Sequence, residues 1–207
     1  MSSRTSRTRT RTRTRTRTTV SLAVAAVLSA LLVPAAAPSA TAVGCDTAAA
    51  ARPPGGGVAE RDAVLCLINA QRAQRGLPAL TVNAAVTTAA RQHAAAAVQL
   101  KWWGPWKDSH TNPRTGSTPQ SRVMGAGYCP DPRSWAVSEI TYNGWGGSGT
   151  PASAVKWWMN SPGHRAIIHD GSLRDFGGWA QPGAADPAGA VSTGAGTYVV
   201  DFGRCLR

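Results

Sequence analysis

The chain has 207 residues and a formal net charge of +12, but seven of its 22 basic residues lie in the first 17 positions and no acidic residue precedes Asp46. With that Arg-Thr run set apart, the rest of the chain carries a modest excess of five positive charges, so the basic balance does not point to a nucleic-acid partner. About 160 residues then remain, enough for one core and too few for two ordinary domains.

Taken in chain order, the first segment reads as a secretory signal peptide over residues 1–42. Arginines are followed by an apolar run from Val20 to Val33, then by Pro34 and small residues. The run is shorter than the about 20 residues a membrane span needs, so no permanent span is expected. Ala40 and Ala42 form an Ala-x-Ala site, which places cleavage after Ala42, with Ala37 as the alternative. Ala42-Val43-Gly44-Cys45 also resembles a lipobox. Lipidation of Cys45 would leave Cys66, Cys129 and Cys205 as an odd set, whereas four cysteines form two bridges in an oxidising compartment. The soluble, secreted, extracellular form is therefore the expectation, with a monomeric domain.

Residues 43–57 form a Pro/Gly-rich arm, because Pro53-Pro54-Gly55-Gly56-Gly57 cannot sustain a helix. The domain follows over residues 58–207. Val64, Leu67 and Ile68 at helical spacing, stopped by Gly76, predict a helix over 59–75. Asn83 is the expected N-cap of an Ala-rich helix running to Leu100. Ser117 or Thr118 before Pro119 opens a short helix to about Met124, and Thr150-Pro151 opens another that carries Val155, Trp158 and Met159. Strands are expected over 134–142, over 176–180, and most clearly over 197–202, where Tyr198, Val200 and Phe202 share a face. Residues 181–196 read as a connecting loop. Helices early and strands late argue an α+β layered fold rather than an alternating nucleotide-binding one.

Cys45 and Cys66 bracket the arm, while Cys129 and Cys205 flank the sheet-forming region. We therefore expect Cys45–Cys66 and Cys129–Cys205 from the three possible connectivities.

Several chemistries have no signature here. There is no Gly-x-Gly-x-x-Gly, no phosphate loop, no His-Glu-x-x-His and no Cys-x-x-Cys, and Ser148 in Gly-Gly-Ser-Gly misses the nucleophile-elbow spacing and reads as a flexible loop. What remains is sparse: His110 in Asp108-Ser109-His110-Thr111, Glu139 in Ser138-Glu139-Ile140, and His164 in Ser161-Pro162-Gly163-His164-Arg165. Spacing alone does not join them. His93, among alanines, reads as structural, and His169 does not share a helical face with His164.

The segments around these residues do join them. Leu65 to Arg72, Arg75 to Leu80, Ala89-Ala90-Arg91-Gln92-His93, Ser109-His110-Thr111 and Trp158-Met159-Asn160-Ser161-Pro162-Gly163-His164-Arg165 occur in this order. They resemble the bacterial branch of the CAP superfamily, which includes cysteine-rich secretory proteins, antigen 5 and pathogenesis-related proteins. The resemblance covers residues 58–204 and implies a three-layer α-β-α sandwich whose cleft brings His110 and His164 together with acidic groups. Glu139 matches the glutamate of the family's Gly-Glu-Asn motif, although both neighbours differ here. The second glutamate that many eukaryotic members carry on the helix before the second histidine has no counterpart, since no acid occurs between Glu139 and Asp170.

Two functional classes follow from the resemblance. The first is an extracellular binding or interaction module whose ligand is a lipid, a cell-wall saccharide or a protein. The second is a metal-dependent hydrolase, because His110, His164 and Glu139 match a catalytic zinc composition of two imidazoles and one carboxylate; zinc or another divalent metal is the expected cofactor of that reading. Glu139 can alternatively accept a hydrogen bond from one imidazole. Among eight tryptophans, some of Trp102, Trp103, Trp106 and Trp145 are candidates for the cleft rim and some of Trp157, Trp158 and Trp179 fill the core, with core use the first expectation for any single one.

Overall fold

A computed structural model of the chain describes residues 44–207. The export-signal and cleavage readings fall outside the described residues. Among those described, six helices flank one four-stranded sheet: α1 Thr47–Ala51, α2 Val58–Ala73, α3 Ala84–Leu100, α4 Pro119–Gly125, α5 Pro151–Asn160 and α6 Pro162–Ile168, with β1 Thr81–Val82, β2 Ser134–Gly144, β3 Asp175–Pro182 and β4 Gly196–Leu206. The sheet order is β1-β3-β4-β2. β1 runs parallel to β3, while β4 is antiparallel to both of its neighbours.

The start signals act through their side chains. Asn83 Oδ1 accepts from the backbone N–H of Ala85 and Val86, at 3.0 and 3.2 Å. Thr118 and Ser121 form a reciprocal capping box, and Thr150 accepts from the Ser153 N–H at 3.1 Å. Pro119, Pro151 and Pro162 stand in the first turn, where a missing N–H costs nothing. Three short elements differ from the sequence reading. The arm contains α1, because prolines begin only at Pro53 and the preceding alanines are strong helix formers; Ala49 and Ala50 pack with Ala63 and Leu67. α6 follows α5 after a break at Ser161, and β1 is only two residues long.

Alternation along β4 builds the layers. Tyr198, Val200 and Phe202 join Ile140, Phe176, Val64, Ile68 and Trp158 in the main core beneath α2, α5 and α6. Val199, on the other face, packs with Ala90, Ala94, Ala97 and Trp103 beneath α3. Both faces are covered, so residues 196–203 are all buried and the α-β-α sandwich is complete. Gly177 allows the close approach of α3: a Cβ there would collide with the backbone of Val86 and Thr87.

Both expected disulfides form, Cys45–Cys66 and Cys129–Cys205, each with 5.6 Å between Cα atoms. The first ties the arm to α2. The second closes the Tyr128 loop against the end of β4. Arg72, fully buried at the end of α2, fastens two further loops by donating to the carbonyls of Pro78, Ile168, Asp170 and Leu173.

Candidate functional site

The loop after α3 presents His110. Asp108 Oδ1 accepts from the backbone N–H of His110 at 2.8 Å and of Thr111 at 3.3 Å, which fixes a tight turn. Three buried groups hold this turn against the sheet. His93 Nε2 donates to the Ser109 carbonyl (2.8 Å), the Ser109 hydroxyl bonds that of Thr141 (2.8 Å), and Arg122 Nη1 donates to the carbonyls of His110 (2.9 Å) and Ser117 (2.8 Å). His93 is structural, as expected, and its task is to support the His110 loop.

Glu139 points from the middle of β2 toward the α3 layer, and its side chain is 1% exposed. His110 Nδ1 donates to its Oε1 at 2.8 Å, and Arg122 Nη2 to its Oε2 at 2.6 Å. Burial opposes ionisation of this carboxyl, but the His110 bond and the Arg122 charge together outweigh it and hold its pKa below the ordinary value. The Glu139 bond in turn raises the His110 pKa against the effect of partial burial.

His164 lies in the first turn of α6. Its Nδ1 bonds the Ser161 hydroxyl at 2.7 Å, and its ring packs 4.9 Å from that of Trp157, which packs 5.7 Å from Tyr142. Burial lowers its pKa, and so does the charge of His110. The structure thus joins His110 directly to Glu139 and places His164 within electrostatic reach of His110, without a hydrogen bond to either.

This arrangement does not fit a three-ligand metal centre. Both Glu139 oxygens are engaged by His110 and Arg122, and among the described residues no three His, Cys, Asp or Glu side chains converge to hold an ion. The zinc composition legible in the sequence is therefore not assembled as a coordination sphere. Glu139 instead orients an imidazole.

The tryptophans divide between core and surface. Trp103 is 5% exposed and Trp158 is fully buried, so Trp103 belongs to the core rather than to the rim, whereas Trp157 is 49% exposed beside His164. Trp106 is wholly exposed, and Trp145 lies over Gly189. Ser148 ends a single helical turn of residues 146–148. Two surface hollows of about 410 and 390 Å³ lie away from this site, one beside the Cys129–Cys205 bridge and one between α2 and α5.

The sequence alone assigns no site role to Arg122 or Asp201. Arg122 sits on short α4, and Asp201 stands directly across the ladder from Glu139.

The model of the cysteine-rich secretory protein family, CAP, matches residues 65–200. The chain belongs to the CAP family. The CAP chain is similar in structure to an outer surface protein from Borrelia burgdorferi, with a TM-score of 0.53 and 19% identity over 70% of this chain and 92% of that one. It also matches an extracellular protein containing a SCP domain from Bacillus anthracis str. Ames, with a TM-score of 0.49 and 18% identity over 68% of this chain and 39% of that one. At these identities the Borrelia likeness shows the fold. No curated protein sequence matches the chain.

Proposed function

We propose that this CAP domain is an extracellular binding module that takes a polar ring-shaped ligand, a cell-wall saccharide, at the His110–His164 cleft. The observation that carries the reading is the half-exposed Trp157 indole, packed between the His164 and Tyr142 rings. Below it the acidic group is spent on its own scaffold, since Glu139 is held by His110 and Arg122. The Nε2 atoms of both imidazoles make no hydrogen bond among the described residues and are free to meet ligand hydroxyls. An indole face beside such donors and acceptors suits a sugar ring, whose C–H face stacks while its hydroxyls bond.

Two disulfides fit an oxidising, extracytoplasmic setting. The Borrelia neighbour is named an outer surface protein, which agrees with that placement. Among the described residues no helix is long and apolar enough to cross a membrane.

Co-sedimentation with insoluble peptidoglycan, set against phosphatidylglycerol vesicles and buffer alone, tests the reading. We expect retention by peptidoglycan that falls at least tenfold in Trp157→Ala with an unchanged melting temperature. Retention by vesicles alone would replace the saccharide with a lipid. Peptidoglycan retention that Trp157→Ala and His164→Ala leave intact would remove the cleft from the reading.

A further inference from the structure

Behind His110 and Glu139 lies an acid that no ligand can touch. Asp201 on β4 is fully buried, and neither of its carboxyl oxygens has a hydrogen-bond donor from the protein. Its partner across the antiparallel ladder is Glu139 on β2, itself 1% exposed at the side chain. On the other side its partner on β3 is Gly177, which offers no side chain and carries the backbone of α3 directly above it. Two carboxyls therefore face one another in a sealed interior.

The charges around them are few. Arg122 on α4 contacts Glu139 Oε2, His110 on the loop contacts Oε1, and His93 on α3 lies near enough for its charge to influence Glu139. The Arg122 guanidinium is the cation that acts on Asp201, and it is already engaged by Glu139. One buried cation cannot neutralise two buried carboxylates, and an unpaired buried carboxylate is so costly that it takes up a proton instead. Burial, reinforced by the Glu139 charge, pushes the Asp201 carboxyl well above the ordinary carboxylate range, with Arg122 opposing.

We propose that Asp201 is a neutral carboxylic acid which shares one proton with Glu139, and that this pair positions His110 as the Nδ1–H tautomer. The proton balance is simple: Asp201 keeps one proton, its O–H finds the Glu139 carboxylate as acceptor, and the pair carries a single negative charge against Arg122. A carboxylate has sites for all three donors, namely Asp201 O–H, His110 Nδ1–H and Arg122. Because Glu139 is held as an anion, it accepts from His110 and keeps the imidazole proton on Nδ1, which leaves the lone pair of neutral His110 on Nε2. Asp201 is thus a positioning residue that acts through Glu139. The inference stands whichever ligand occupies the cleft, and its test involves no ligand.

Infrared spectroscopy of the purified protein at neutral pH reads the protonation state directly. We expect a protonated-carboxyl C=O band that shifts on labelling with ¹³C-aspartate, disappears in Asp201→Asn, and moves in Glu139→Gln as the acceptor changes from anion to amide. Absence of an aspartate-sensitive band in the wild type would overturn the proposal, and would instead mean two ionised carboxylates around Arg122. Imidazole ¹⁵N shifts read the positioning role. His110 should show the Nδ1–H tautomer in the wild type and in Asp201→Asn, whose amide still donates, and a mixture in Asp201→Leu. An unchanged tautomer in Asp201→Leu would refute the positioning role. The isotope-edited wild-type band needs no variant, so it decides the protonation state even where Asp201→Leu fails to fold.

Discussion

The two faces of the sheet are made from alternate residues of the same strands, yet they are built on opposite principles. Under α2, α5 and α6 the strands contribute Ile140, Phe176, Tyr198, Val200 and Phe202, and the layer is closed by Trp158 and Ile168. Under α3 and α4 they contribute Val199 and Val137 at the ends, and between them Glu139, Thr141 and Asp201. The alanines of α3 let that helix sit close, so polar groups there are sealed as firmly as the apolar ones opposite. The contrast separates what stores stability from what stores polarity: the first face gains by removing apolar area from water, while the second holds buried polar groups that are paired in part, Glu139 with His110 and Arg122, and in part left without a partner, as at Asp201, Trp103 Nε1 and Arg122 Nε.

That division predicts a ranking of damage. Trp158 is fully buried and its Nε1 donates to the Thr141 carbonyl at 2.8 Å, so Trp158→Ala removes a large apolar body and leaves that carbonyl short of a donor. We expect a loss of about 4 kcal/mol in chemical denaturation; a loss under about 1 kcal/mol would show that the apolar face is not the main store of stability. On the polar face Arg122→Met keeps the volume and deletes the charge. Glu139 then stays buried with its cation gone, and the His110 and Ser117 carbonyls lose their donor. About 3 kcal/mol is expected from breaking a buried pair on one side. Recovery of most of that loss in an Arg122→Met, Glu139→Gln double variant would confirm that the stranded charge is the cause.

A smaller effect distinguishes the faces by pH. The Glu139 bond raises the His110 pKa above its ordinary 6.5. A histidine raised in the folded state contributes stability that is complete below the unfolded value and fades as pH rises through the folded one. His164 and His93 act in the opposite sense, because burial lowers both, so they cost stability as pH falls below 6.5. Comparing wild type with His110→Gln isolates the first contribution. The gap in melting temperature should be wider at pH about 5.5 than at about 8.5. His110 is 41% exposed at the side chain, so solvent screening limits the difference to under about 1 kcal/mol. A gap that widens toward alkaline pH would reverse the sign assigned to the His110–Glu139 pair.

The apolar face was legible in the sequence, and the polar one only at its rim. Tyr198, Val200 and Phe202 announce a strand face by alternation, and Asn83, Thr118 and Thr150 announce helix starts by capping chemistry that is local and so needs no tertiary knowledge. His110 and Glu139 emerged through the family motif. Asp201 did not, because an acid alternating with apolar residues looks like the wet side of a half-buried strand. In a three-layer sandwich that side is covered too, and the covering helix lies over a hundred residues earlier in the chain. Arg122 was hidden for a related reason: on a seven-residue helix one arginine looks like a solvated residue until its partner Glu139 is seen across the layer. A family comparison of arginine and aspartate at these two positions is the signal that can expose such a pair.

The smallest effect tests where the polar face ends. Trp103 and Trp106 lie three residues apart on either side of Gly104-Pro105, a turn that separates their fates. Trp103 is 5% exposed and packs at 6.2 Å from the His93 ring and 6.3 Å from Trp102, within the alanine layer of α3. Trp106, with a positive φ of 64°, projects wholly into solvent. Trp106→Ala should therefore change stability by less than about 0.5 kcal/mol, and Trp106→Gly should be neutral or slightly stabilising, because glycine accepts the left-handed backbone that tryptophan adopts here at a cost. An exposed indole held in a strained turn, with no packing to reward it, is expected to matter only when something else covers it. If Trp106→Ala lowers peptidoglycan retention while stability holds, the recognition surface extends from Trp157 across to this loop; if stability itself falls by several kcal/mol, the loop is a buried part of the α3 layer and the boundary drawn at Gly104 is wrong.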